Sequence, residues 1–201
     1  GLGCEVMQID SVLKSGSFRE GPFFHSMTIQ DAGGIRSTVA SGTAFIREML
    51  PELNKVQRQQ VPADKLILGL QCGGSDGYSG ITANPALGIA SDLLVRNGGT
   101  AVLGETPEIY GAEHLLTRRA VNREAGEKLV ERIRWWKKYT ARHGGEMDNN
   151  PSPGNKAGGL TTILEKSLGA VAKGGSTNMV YVVEYARPIT ARGFVFMDTP
   201  G

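Results

Sequence analysis

Apolar positions along the chain follow two rhythms. Short apolar runs at Lys65-Leu-Ile-Leu-Gly-Leu70, Thr100-Ala-Val-Leu-Gly104, Met179 to Tyr185 and Phe194-Val-Phe-Met197 read as strands, the first of them buried. Between them lie stretches with helical spacing. The segment from about Gly34 to Lys55 places Val39, Ala40, Thr43, Ala44, Ile46 and Leu50 at helical intervals, with Pro51 interrupting its end. Pro85 to Asn97 reads as a helix with Asn84 as N-cap, Pro85 in the first position and Gly98-Gly99 as the stop. Thr106-Pro107-Glu108 supplies a cap, a proline and a first-turn acid, so a helix is predicted to begin there. Asn122 caps a longer helix from Arg123 to His143, in which Leu129, Ile133 and Trp136 form one stripe. A further helix runs to about Lys173, and weak alternation from His25 to Gln30 predicts a strand after Gly21-Pro22. Strands alternating with helices imply an α/β fold, a Rossmann-like three-layer sandwich with a mostly parallel sheet. The expectation is one α/β domain over 1–201, with any subdivision near 145–158.

The segment Gln71-Cys-Gly-Gly-Ser-Asp-Gly-Tyr-Ser-Gly-Ile-Thr-Ala-Asn-Pro-Ala-Leu-Gly88 joins a strand to a helix. Loops at the carboxyl ends of strands that open helices are where open α/β sheets bind ligands, because free N–H groups and the helix dipole converge there. Cys72, Ser75, Asp76, Ser79 and Thr82 among the glycines are a costly composition for a mere connector. The loop lacks the Gly-x-Gly-x-x-Gly of dinucleotide sites, and Gly175 stands where a P-loop near Gly169 would need its lysine. No Gly-x-Ser-x-Gly is present. Of the three histidines, His143 ends a helix, and His114, just beyond a strand's carboxyl end, is the better candidate for a direct role, against capping or packing. Cys4 and Cys72 each follow an apolar glycine-containing run and are placed at neighbouring strand ends, without any Cys-x-x-Cys spacing.

Composition narrows the partners. A net charge of +2 with scattered basic residues argues against nucleic acid, and no apolar run reaches the roughly 20 residues of a membrane helix. Two cysteines without a disulfide pattern fit a reducing cytoplasm. The 28 glycines, about twice the usual share, gather at element ends as in loop-rich α/β enzymes. No signal peptide is read at the start, and both ends read as cuts in a longer chain.

Three blocks carry a resemblance: the Gln71–Gly88 segment, Glu105-Thr-Pro-Glu-Ile-Tyr-Gly-Ala-Glu-His-Leu-Leu-Thr-Arg-Arg119, and Asn149-Asn-Pro-Ser-Pro-Gly-Asn-Lys-Ala-Gly-Gly-Leu-Thr-Thr-Ile-Leu-Glu-Lys166. They resemble the altronate and galactarate dehydratases, the altronate enzymes most closely, with the sulfolactate sulfo-lyase large subunit as a relative. The resemblance implies a hydro-lyase that dehydrates a sugar acid to a 2-keto-3-deoxy acid with ferrous iron, in a homo-oligomer, with further domains of the same enzyme on either side. A galactarate dehydratase, a sulfo-lyase subunit or a non-catalytic sugar-acid-binding module are the alternatives. Such an elimination needs a base beside the carboxylate, stabilisation of an enediolate, and an acid for the departing hydroxyl. On this reading Cys4 and Cys72 approach the metal, with a third ligand outside the chain; another divalent metal or an iron–sulfur centre stays open. Ser75, Asp76, Thr82 and Asn84 face the polyol and the carboxylate, Arg118 and Arg119 are carboxylate candidates, and Asn155 shares a polar loop with Lys156. Lys156 or His114, with Asp76 among the catalytic candidates, would move the proton.

Overall fold

The computed structural model describes residues 9–16 and 18–200, in two compact units spanning 1–60 and 61–201. Cys4 therefore lies outside the described residues. The first unit holds helices α1 (Ile9–Lys14) and α2 (Ile35–Leu53). Pro51 sits inside the last turn of α2 rather than ending it. The strand expected over His25–Gln30 does not form. Residues 29–33 turn instead, because Thr28 bonds the Asp31 side chain and Gly34 N–H donates to the Ile29 carbonyl, local bonds that compete with an unpaired strand.

The second unit is built on four parallel strands, β1 (Ile67–Leu70), β2 (Thr100–Leu103), β3 (Met179–Val183) and β4 (Gly193–Met197), in the order β1-β2-β4-β3. The helices are α3 (Ala83–Arg96), α4 (Glu113–Thr117), α5 (Arg123–Arg142), α6 (Pro153–Ala157) and α7 (Ile163–Ala172). A parallel sheet flanked by helices is the α/β architecture that the alternating pattern implies. The main core joins Leu103, Phe194, Phe196 and Val182 of the sheet to Leu129 and Ile133 of α5 and Ala170 and Val171 of α7. Burial of each large apolar side chain there contributes about 1.5–3 kcal/mol. The other face of the sheet packs Val102, Val183 and Val195 against Ile189 and Ala191.

Three sequence expectations change. The apolar run at β1 is an edge strand whose Ile67 and Leu68 are exposed, not a buried one. Helix α3 begins at Ala83 with Thr82 in the cap position, so Asn84 is inside the helix and its amide is free to reach elsewhere. The expected helix at Thr106 is a single 3-10 turn, Thr106–Ile109, entered through Glu105 in the left-handed region at φ 63°. A non-glycine residue held there costs about 1–3 kcal/mol, offset by surrounding contacts.

Helices α3 and α7 pack at backbone contact. A Cβ on Gly88 would lie 2.3 Å from the Ala172 carbonyl oxygen. Just beyond α7, Gly175 at φ +60° brings the chain over Asp92 of α3, whose carboxylate accepts from the N–H and hydroxyl of Ser176 and from Thr177 N–H. Burial pushes the Asp92 carboxyl up, but the Ser176 and Thr177 hydrogen bonds outweigh it and hold the group below the usual range. This clamp fixes α7 against α3, and the start of α3 is where the polar loop ends.

Candidate active site

All four strands point their carboxyl ends the same way, so the loops leaving β1, β2 and β4 gather at one end of the sheet. The loop after β1 is shaped by Asp76, whose Oδ1 accepts from Tyr78 N–H at 2.8 Å and Ser79 N–H at 2.7 Å. That turn is zipped to the segment around α6: Gly77 N–H donates to the Gly158 carbonyl at 2.8 Å, and Asn155 Nδ2 donates to the Ser75 carbonyl at 2.8 Å. Asn155 also completes a capping box with Ser152. Asn84 Nδ2 reaches the Gly169 carbonyl of α7 at 2.9 Å. Between the loop, α3 and α7 these bonds leave a cleft of about 220 Å³, walled by Ser75, Asp76, Ser79, Asn84, Glu165 and Lys166 among others.

Of the residues expected at the site, Ser75, Asp76 and Asn84 line this cleft. Asn155 stands behind Ser75, and Cys72 lies beside it, its Sγ 2.7 Å from Ser75 Oγ. Thr82 is exposed, with its hydroxyl donated to the Tyr78 carbonyl. Lys156, His114 and Arg118 are exposed and form no part of the cleft wall. Arg119 is a structural cation: its guanidinium donates to the Gly174 and Thr177 carbonyls and lies 4.5 Å over the Phe194 ring.

The sequence reading passed over two buried ion pairs. Lys173, 1% exposed, places Nζ 3.1 Å from Glu105 Oε2, while Glu105 Oε1 accepts from Cys72 N–H and Gln71 Nε2, each at 3.4 Å. One carboxylate thus holds the start of the Cys72 loop to the end of α7. Lys166 donates to Glu108 Oε1 and to Asn150 Oδ1, both at 2.8 Å, and Glu108 Oε2 is buried with no hydrogen-bond partner. A signal for both lysines exists in the sequence: Ile163, Lys166, Ser167, Ala170 and Lys173 share one helical stripe, which places two charges on the core face. On the rim, Glu165 accepts from Thr161 N–H and hydroxyl, which lowers its carboxyl below the usual range.

Among the described residues no three His, Cys, Asp or Glu side chains converge as a metal ion requires. Cys72 is hydrogen-bonded to a serine rather than grouped with other donors. The residues described here do not by themselves fit an iron centre.

These features define a class, an α/β domain with a polar ligand cleft at the carboxyl ends of parallel strands. The family profile described as D-galactarate/altronate dehydratase, C-terminal, matches residues 63–201, from the opening of the second unit to its end. The chain belongs to this family, as its three sequence blocks implied. It is 42% identical to the galactarate dehydratase (L-threo-forming) of Escherichia coli over its whole length and 39% of the relative's. Identity to the altronate dehydratase of Bacillus subtilis is 38%, over the whole chain and 40% of that protein. The (2R)-sulfolactate sulfo-lyase subunit beta of Chromohalobacter salexigens is 35% identical over 84% of the chain and 44% of its own length. The chain thus spans about two fifths of the length of these curated relatives.

Proposed function

We propose that this chain is part of a sugar-acid hydro-lyase, acting on an altronate-type aldonate to give a 2-keto-3-deoxy acid. The observation that carries the reading is the cleft at the strand carboxyl ends, in which hydroxyl, amide, carboxylate and ammonium groups converge in a chain of the dehydratase family. Ser75 and Asn84 are assigned to substrate hydroxyls, and Asp76 and Asn155 to holding the loop that presents them. Lys156, Thr82, Arg118 and His114 take part only if the loops close over bound substrate. The chemistry removes the proton beside the carboxylate and expels the neighbouring hydroxyl as water.

Ferrous iron, when bound, would act as a Lewis acid on the substrate. Cys72 is the described thiol that would face it, and the remaining ligands, Cys4 among them, would come from residues outside those described. Homo-oligomerisation and a cytoplasmic setting belong to the same proposal; no described helix is long and apolar enough to cross a membrane.

The test uses the full-length protein with ferrous iron and altronate, galactarate or sulfolactate, assayed for keto acid and for sulfite. Keto acid from altronate is expected, together with loss of bound iron in Cys72→Ser. Sulfite from sulfolactate alone would transfer the protein to the sulfo-lyase branch, and no product from any acid would reduce it to a binding module.

A further inference from the structure

Lys166 is unlike the other cations of the second unit. Its side chain is 7% exposed, yet it forms part of the cleft wall beside Ser75 and Asn84. An ammonium has three N–H groups. Glu108 and Asn150 accept two of them at 2.8 Å, and no described residue takes the third. The Glu108 carboxylate is itself about nine-tenths buried, with Oε2 unpartnered. A buried charge without a full set of partners is costly, and such groups persist where they serve a ligand. Lys156 and His114, the proton carriers expected from the sequence, are exposed and outside the cleft wall.

We propose that Lys166 is the general acid that protonates the departing hydroxyl, with Glu108 and Asn150 as the positioning residues that aim its third N–H into the cleft. The inference rests on the hydro-lyase reading. In the step, a base takes the proton from the carbon beside the carboxylate, and that electron pair forms the new carbon–carbon double bond as the bond to the neighbouring hydroxyl breaks. Lys166 gives its proton to that hydroxyl, which leaves as water, and the enol then tautomerises to the keto acid. The proton held by the base returns to Lys166 through solvent, so the cycle closes with water as the only by-product. Asp76 and Glu165, the carboxylates on the cleft wall, already accept backbone N–H bonds from Ser79 and Thr161.

The test compares two substrates with the full-length protein: the hydroxy acid, and an analogue in which fluorine replaces the departing hydroxyl. Fluoride leaves as an anion and needs little acid assistance. Lys166→Arg keeps the charge and the Glu108 pair but has no proton to give at neutral pH; Lys166→Gln keeps a donor toward Glu108 without the charge. Both variants are expected to lose about 10²–10⁴-fold in kcat on the hydroxy acid, while fluoride release stays within about tenfold of wild type. Equal losses on both substrates would assign Lys166 a merely structural role, and unchanged turnover of the hydroxy acid would remove it from the reaction; either result overturns the proposal. If the unmutated protein forms no keto acid, the hydro-lyase reading falls first.

Discussion

Lys173 is the most deeply placed charge of the second unit, and Glu105 is its sole ion-pair partner among the described residues. Removing one member of a buried pair leaves the other uncompensated, a change worth about 3–5 kcal/mol. Lys173→Met is therefore expected to lower unfolding free energy by about that amount in urea titration, and Glu105→Gln added to it is expected to recover part of the loss. A double variant no more stable than the single one would show that the pair's worth lies elsewhere. Lys166 and Lys173 were passed over because charged side chains are read as surface by default, although their helical stripe with Ile163 and Ala170 places both on the core face. Hydroxyl, carboxylate and amide groups in a glycine-rich loop stand out in composition, so Ser75, Asp76 and Asn84 were singled out, and all three line the cleft. What they bond to was not, since Asn155 meets Ser75 across 80 positions of chain that local patterns do not span.

At the scale of elements, the same substitution is expected to change sign with its surroundings. Gly126 lies inside α5, where an added Cβ would meet Ala120 Cβ at an ordinary 3.7 Å. Gly126→Ala is thus expected to raise stability by about 1 kcal/mol through helix propensity. Gly88→Ala gains the same propensity but drives a methyl to 2.3 Å from the Ala172 carbonyl. Separation of α3 and α7 then dominates, and a net loss of about 1–3 kcal/mol is expected. Thermal melts of both variants check the pair; a stabilised Gly88→Ala would mean that the two helices are free to move apart. The periodicity that located α3, α5 and the four strands is a local property, so it was readable. Strand order is not: Leu66 to Leu70 is apolar enough for a central strand, yet lies at the edge. Nor did the pattern reveal that β3 and β4 pair in parallel with only residues 184–192 between them, shorter than the usual crossover.

At the scale of the molecule, both hydrophobic cores of the described residues and the cleft fall within residues 61–201, and the family match starts at residue 63. Helix α2 of the first unit has no buried residue, although Ile35, Val39 and Ile46 are apolar. Residues 61–201 expressed alone are therefore expected to unfold in one cooperative transition, followed by circular dichroism and tryptophan fluorescence together. Non-coincident curves would show that residues 61–201 do not unfold as one cooperative unit. Within that unit, the Glu105 carboxylate joins two places that sequence keeps 101 positions apart, the N–H of Cys72 and the ammonium of Lys173. A carboxylate shared in this way acts as a balance beam. A ligand that binds better when the Cys72 loop leaves this carboxylate would be coupled to the hold on the end of α7, and by reciprocity a change at that end would alter affinity at the loop by the same factor.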